Sequence, residues 1–286
     1  MWQGIATFFE QLAHAIAYLA WAELATTVFV TFLTAAAGAG AGALIAQRVI
    51  ERGKSKGDLI TEIRNTNAAV SISHDILNVF LGLKRQHIIK LKSDFEASRN
   101  ALDDFHAARN AGDTTEVFEF QMDLQSIPDI IVPDERLQNI AFEQLSIVGK
   151  PINFTSVLVR SIHSLKKSIE KRNQLIEEFR GIAPNDNTRK VHLYFGLPDE
   201  HGHTDENYPN TIQAISQYTD DCIWFSKSLI AELSKHGEGL KAKFKKDYRD
   251  TPPKVASIDM TNVEEGLIPS DEDFADWTAG FIEREP

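Results

Sequence analysis

Between Asp58 and Asn110 the chain repeats its apolar positions every seventh residue. Ile60, Asn67, His74, Leu81, Ile88, Phe95 and Leu102 form one column. Ile63, Val70, Leu77, Lys84, Leu91, Ser98 and Phe105 form a companion three residues later. Two such columns make a seam along one face of a helix, the pattern of helix-on-helix packing. Unbroken, that helix extends ~80 Å. The polar members Asn67, His74, Lys84 and Ser98 weaken the seam and set its register. A buried polar sensor at His74 and Asn67 is the alternative reading.

A second heptad segment runs from Ile152 to Gly181, with Leu158, Leu165 and Phe179 in one column and Ile162, Ile169 and Ile176 in the other. Pro151 and Gly181 mark its ends. A shorter helix is expected from Pro133 to Ile147. Another is expected from Asn210 to His236, with Ile212, Ile215, Cys222, Leu229 and Leu233 inward, and a separate basic helix from Glu238 to Arg249. Two segments break the helical period. "EVFEFQMDLQSI" alternates Phe118, Phe120, Met122 and Leu124 with polar residues, and "KVHLYFGL" alternates Val191, Leu193 and Phe195. A period of two predicts strands, which pair here as a small sheet supported by the helices.

The amino-terminal pattern differs. Gln3, Thr7, Glu10, Gln11, His14 and Tyr18 oppose Ile5, Phe8, Phe9, Leu12, Ile16 and Leu19, an amphipathic helix suited to a membrane interface. Leu24 to Ala46 is 23 residues without a charged side chain, enough to cross a hydrocarbon layer of ~30 Å. Gly38 and Gly40 followed by Ala43 resemble a dinucleotide loop, but no second strand follows; Gly53-Lys54-Ser55 lacks the first glycine of a P-loop, because residue 48 is Arg48. Thr34, Gly38, Gly42 and Ala46 instead form a stripe of small residues, so Gly38, Gly42 and Ala46 are the expected helix-packing positions. Arg48, Arg52, Lys54 and Lys56 follow the span, and no Lys or Arg precedes it. That asymmetry places the carboxy-terminal bulk in the cytoplasm of an inner or plasma membrane, with the amino terminus outside.

The expected fold is therefore mainly α: a single transmembrane helix, then an elongated cytoplasmic helical bundle or coiled coil with a two-stranded β element. Its expected organisation is an interfacial helix over 1–23, the span over 24–46, a basic juxtamembrane linker over 47–57, the helical domain over 58–250 and a flexible acidic tail over 251–286.

Charge changes this picture in two places. The chain of 286 residues carries a net charge of −11, which argues against general nucleic-acid binding. Residues 251–286 hold nine acids and two bases, so most of that excess lies in the tail. Within it Phe274, Trp277 and Phe281 sit among carboxylates as an expected partner-docking motif. Just before it Lys241, Lys243, Lys245, Lys246 and Arg249 form a basic face, for an anionic ligand or for the tail folding back. The lone cysteine, Cys222, lies in an apolar run and reads as a core thiol.

Candidate chemistry is sparse. "PDEHGHTDENY" offers His201, His203 and Asp205 as metal ligands by residue type. A solvated loop is the plainer reading, and no catalytic residue or cofactor is expected. The expected role is a membrane-anchored sensor, scaffold or effector, in one version a bacterial stress or defence effector that perturbs the membrane. In that role the helical domain binds a ligand or protein partner and clustered copies respond. The alternatives are a membrane-tethered enzyme near His201 and His203, and a passive anchor that recruits a partner through the tail.

Overall fold

The computed structural model describes residues 47–113, 115, 117–119, 121–261 and 263–280. The chain divides into two units, Met1–Asp58 and Leu59–Pro286. In the first, residues 47–58 are helical and almost wholly exposed, in place of the expected linker.

The second unit is mainly helical. Helix α1 covers residues 59–83 and passes through a π-helical turn, Lys84–Ile88, into α2, Ile89–Asn110. A short helix α3, Asp134–Asn139, ends in a second π turn, Ile140–Gln144. Then follow α4, Lys150–Gly181; α5, Asn187–Phe195; and α6, Asn207–Asp247. A 3-10 turn, Asp271–Phe274, leads into α7, Ala275–Ala279.

The pair α4 and α6 packs along an extensive contact, and the core lies between them and α1. The anticipated columns of α4 are buried throughout, as are Ile212, Ile215, Cys222, Leu229 and Leu233 of α6. The expected break after His236 is absent, because Gly237 serves close packing. A Cβ there would come within 2.8 Å of Val255 Cγ1.

The seam of α1 is displaced by one residue from the expected column. Leu59, Thr66, Ser73 and Phe80 are buried alongside Ile63, Val70 and Leu77, whereas Ile60, Asn67 and His74 are half-buried. Past the π turn the buried column resumes at Ile88 and Leu102, on the expected positions. Leu81 before the π turn and Leu91 after it are both buried on expected positions, so the displacement is confined to one column over 59–80.

Among the described residues there is no strand, only an isolated bridge between Pro198 and Thr204. The expected β element is corrected on both halves. Residues 190–197 fall mostly within α5, whose start is capped by the Asp186 side chain and whose end is closed by left-handed Gly196 at φ 66°. Those two caps and the burial of Tyr194 and Phe195 outweigh the alternation. Over the described part of the other half, residues 117–119 and 121–127 form no strand, and backbone groups of 124–127 are satisfied by side chains of α4 instead. Asn173 donates to the Ile127 carbonyl at 2.8 Å and accepts from its amide at 3.0 Å. Arg172 donates to the carbonyl of Gln125 at 2.7 Å, and Arg180 to that of Leu124 at 2.7 Å.

The carboxy-terminal segment is not a free tail over its described residues. Asn67 donates to the Lys254 carbonyl and accepts from the Ala256 amide, both at 2.8 Å. Further on, Leu267 and Phe274 are buried, with Phe274 stacked on Trp224 at a centroid separation of 4.4 Å. Apolar anchoring at spaced positions holds a chain that its acidic composition alone would leave solvated.

The membrane and localisation readings are also corrected. Among the described residues no helix is long and apolar enough to cross a membrane, so a single-pass membrane protein has no support in the structure. The described helices bury one face and carry charge on the other. The expected interfacial helix and span, with Gly38, Gly42 and Ala46, lie outside the described residues.

Candidate functional site

The residues expected to bind metal form a tight turn instead. Asp199 Oδ1 accepts from the amides of His201 and His203, each at 2.8 Å, and Asp205 Oδ1 from that of Asn207 at 2.9 Å. The carboxylates are thus engaged in shaping the loop, a common use of Asp in turns. The imidazole rings of His201 and His203 are 6.3 Å apart, and no group of three or more such ligands converges among the described residues.

The basic run ends α6, with Lys243, Lys245, Lys246 and Arg249 exposed and Lys241 held by Glu238 at 2.9 Å. The segment that follows does not fold back onto it through its paired acids. Glu264 meets Arg85 at 3.9 Å and Asp271 meets Lys227 at 2.9 Å. Of the docking motif, Phe274 is consumed inside the unit and Trp277 is 48% exposed beside Phe225. Phe281 lies outside the described residues.

Ser146, Glu62 and His236 have the residue types of a hydrolytic triad in the wrong order. The Ser146 hydroxyl and amide both donate to Glu62, and His236 Nε2 lies 3.2 Å from the same carboxylate oxygen. The hydroxyl meets a carboxylate of lowered basicity and no imidazole, so the trio lacks the serine–histidine contact of a hydrolytic triad. Burial raises the Glu62 pKa, but the Ser146 donors and His236 outweigh it and hold it below the ordinary value. The trio is a structural clamp joining α1, the 145–149 loop and α6.

Two of the cavities among the described residues flank α2. One, of about 670 Å³, lies between the π turn with α2 and the extended 121–127 segment. Its lining is strongly polar, and Arg172 at its edge is fully buried and committed to the carbonyls of Asp123 and Gln125.

The other, of about 600 Å³, is built by three elements. Helix α6 contributes Pro209, Gln213, Ser216, Gln217 and Asp220, which helical spacing brings to one face. Helix α2 contributes Lys92, Phe95 and Glu96, and the carboxy-terminal segment contributes Pro269, Asp273, Phe274 and Trp277. Six lining residues are apolar or aromatic and nine are polar or charged, a mixed lining that suits an amphipathic small molecule. Asp221 lies in this lining with its pKa pushed up to about 6, by burial first and by neighbouring Asp220 second, against a hydrogen bond from Ser161.

One contact ties the cavity to the segment. Lys84 Nζ lies 2.7 Å from Asp220 Oδ1 and donates to the Leu267 carbonyl at 2.9 Å. The π turn thus aims one ammonium group at both a cavity wall and the segment that closes it. Asp220 and Asp221 were readable only as the polar start of the run "DDCIWFSKSLI". Nothing in that run indicated a cavity, because its other walls come from 90–96 and 269–277.

No family model matches this chain, and neither a curated protein nor a solved structure is found to resemble it.

Proposed function

We propose that the unit Leu59–Pro286 is a sensor or scaffold that binds a small amphipathic molecule in the cavity between α2, α6 and the carboxy-terminal segment. Occupancy of the cavity sets how firmly residues 264–280 stay docked. The observation that carries this reading is the wall itself: Pro269, Asp273, Phe274 and Trp277 belong to the segment and line the cavity. A molecule bound there touches the docked segment and loses those contacts when the segment leaves. Such differential contact is what couples a ligand to a conformational equilibrium. Passive recruitment through an exposed tail motif is less well supported, because Phe274 is stacked on Trp224.

Thermal-shift screening of the full-length protein against small amphipathic compounds tests the proposal, with Trp277→Ala run in parallel. Compounds that raise Tm in the parent, fail in the variant and slow amide exchange across 264–280 support it. Binding that leaves that exchange unchanged refutes the sensor reading.

A further inference from the structure

We infer that the molecule taken up in this cavity is an organic cation, an amine or quaternary ammonium on a compact apolar body. The inference rests on the cavity reading above and names its ligand class.

The apolar side of the cavity is formed by Phe95, Ile212, Phe274 and Trp277. Its polar side carries four carboxylates, Glu96, Asp220, Asp221 and Asp273, against the single ammonium of Lys92 among the described lining residues. Lys92 lies 3.8 Å from Glu96, and Lys84 reaches in to Asp220 at 2.7 Å. Each of these two cations therefore answers one carboxylate. Asp273 is left without an ion pair among the described residues, and Asp221 has only a hydrogen bond from Ser161 and the weaker influence of Arg160.

Three ligand classes can be compared on this lining. An anion meets carboxylates at short range in a half-enclosed space, where like charges repel more strongly than in water. A neutral amphiphile gains only burial of its apolar body. A cation gains that burial, the attraction of the excess carboxylates over ammonium groups and the attraction of the exposed Trp277 ring. The combination of aromatic rings and carboxylates around one space favours the cation on every count. The volume of about 600 Å³ falls within the range of small-molecule sites.

The state of Asp221 agrees with this. The groups acting on it are Asp220 on its own helix and Ser161 and Arg160 on α4, and their balance with burial leaves its pKa high. An ammonium group in the cavity adds to the positive charge of Arg160, so uptake near pH 6 expels protons from Asp221.

The test is calorimetric titration of the full-length protein with octyltrimethylammonium, octanoate and octyl glucoside, all below their micellar concentrations. The cation is expected to bind saturably and at least about tenfold more tightly than octanoate. Near pH 6 its binding heat varies with the ionisation enthalpy of the buffer, which reports proton release. Asp221→Asn with Asp273→Asn weakens the cation by about tenfold and leaves the glucoside unchanged. Trp277→Ala weakens all three probes. Equal affinity for octanoate, an unaffected double variant, or no saturable cation binding up to about 10 mM overturns the inference. Cation binding as described, without slower exchange across 264–280, sinks the sensor reading and leaves the ligand class standing.

Discussion

At the residue scale, two carboxylates pull stability in opposite directions as pH changes. Asp221 has a folded pKa near 6 against an ordinary value of 3.8, because burial and Asp220 disfavour its charge. The folded state therefore holds its proton longer, and this group's contribution to stability falls as pH rises from about 4 to about 6. A two-unit shift corresponds to at most ~3 kcal/mol, and residual solvent contact reduces that to ~1–2 kcal/mol. Asp221→Asn is expected to raise Tm at pH 7.5 by several degrees, with about half of that gain remaining at pH 5. Circular-dichroism melts at the two pH values check it; a lower Tm at pH 7.5 refutes it. Glu62 has the opposite sign. Its pKa is depressed in the folded state, so its contribution is present at neutral pH and lost as pH falls through that depressed value. Glu62→Gln keeps an acceptor for Ser146 but loses the charge, and should cost about 1 kcal/mol at pH 7. Below the depressed value the parent and the variant converge, and urea midpoints at neutral and at acid pH measure the gap.

At the element scale, two asparagines do the work of missing strands. Asn173 holds both backbone groups of Ile127, and Asn67 holds the Lys254 carbonyl together with the Ala256 amide. Each side-chain amide offers the donor and acceptor of a peptide group, so an extended segment is satisfied without a neighbouring strand. Asn67→Ala strips one clamp at a cost of ~1–2 kcal/mol. Amide exchange should accelerate at Ala256 and stay at the parent rate at Ile127; acceleration at both would mean the clamps are not local. The same elements show what the sequence could and could not reveal. Helical repeats in α4 and α6 were legible because burial on one face imposes a period that composition displays directly. The column Leu158, Leu165, Phe179 even skips one position, and the residue there is Arg172, fully buried under the 121–127 segment. That gap was a visible sign of a polar group inside the core. The one-residue offset of α1 was not visible, since Thr66 and Ser73, which fill the buried column, are polar. Over 121–127 and 190–197 the alternation of the sequence is overridden by tertiary contacts and helix caps. The cavity was illegible for a different reason: its walls lie up to about 180 residues apart in sequence, and only packing brings Phe95, Asp220 and Trp277 together.

At the scale of the whole helical unit, the carboxy-terminal segment acts as part of the core despite its charge. Residues 251–286 carry most of the net negative charge of the chain, and a free segment of that composition would be held off by self-repulsion. It is docked by spaced anchors: Val255 against Gly237, the Leu267 carbonyl on Lys84, Asp271 shared by Trp224 Nε1 and Lys227, and Phe274 on Trp224. The apolar anchors set the strength. Burying Leu267 and Phe274 is worth ~2–3 kcal/mol each, whereas the exposed Arg85–Glu264 contact adds little. Salt should therefore leave the docking nearly intact, and covalent removal should not. Deleting residues 251–286 from the full-length protein is expected to lower Tm by roughly 5–10 °C and shift Trp224 emission to longer wavelength. It should also create binding for a hydrophobic dye at the uncovered face of α6. The parent in 1 M sodium chloride should show none of the three changes. If the deletion leaves Tm and emission unaltered, the segment is not part of the core, and the cavity it walls cannot report occupancy to the rest of the unit.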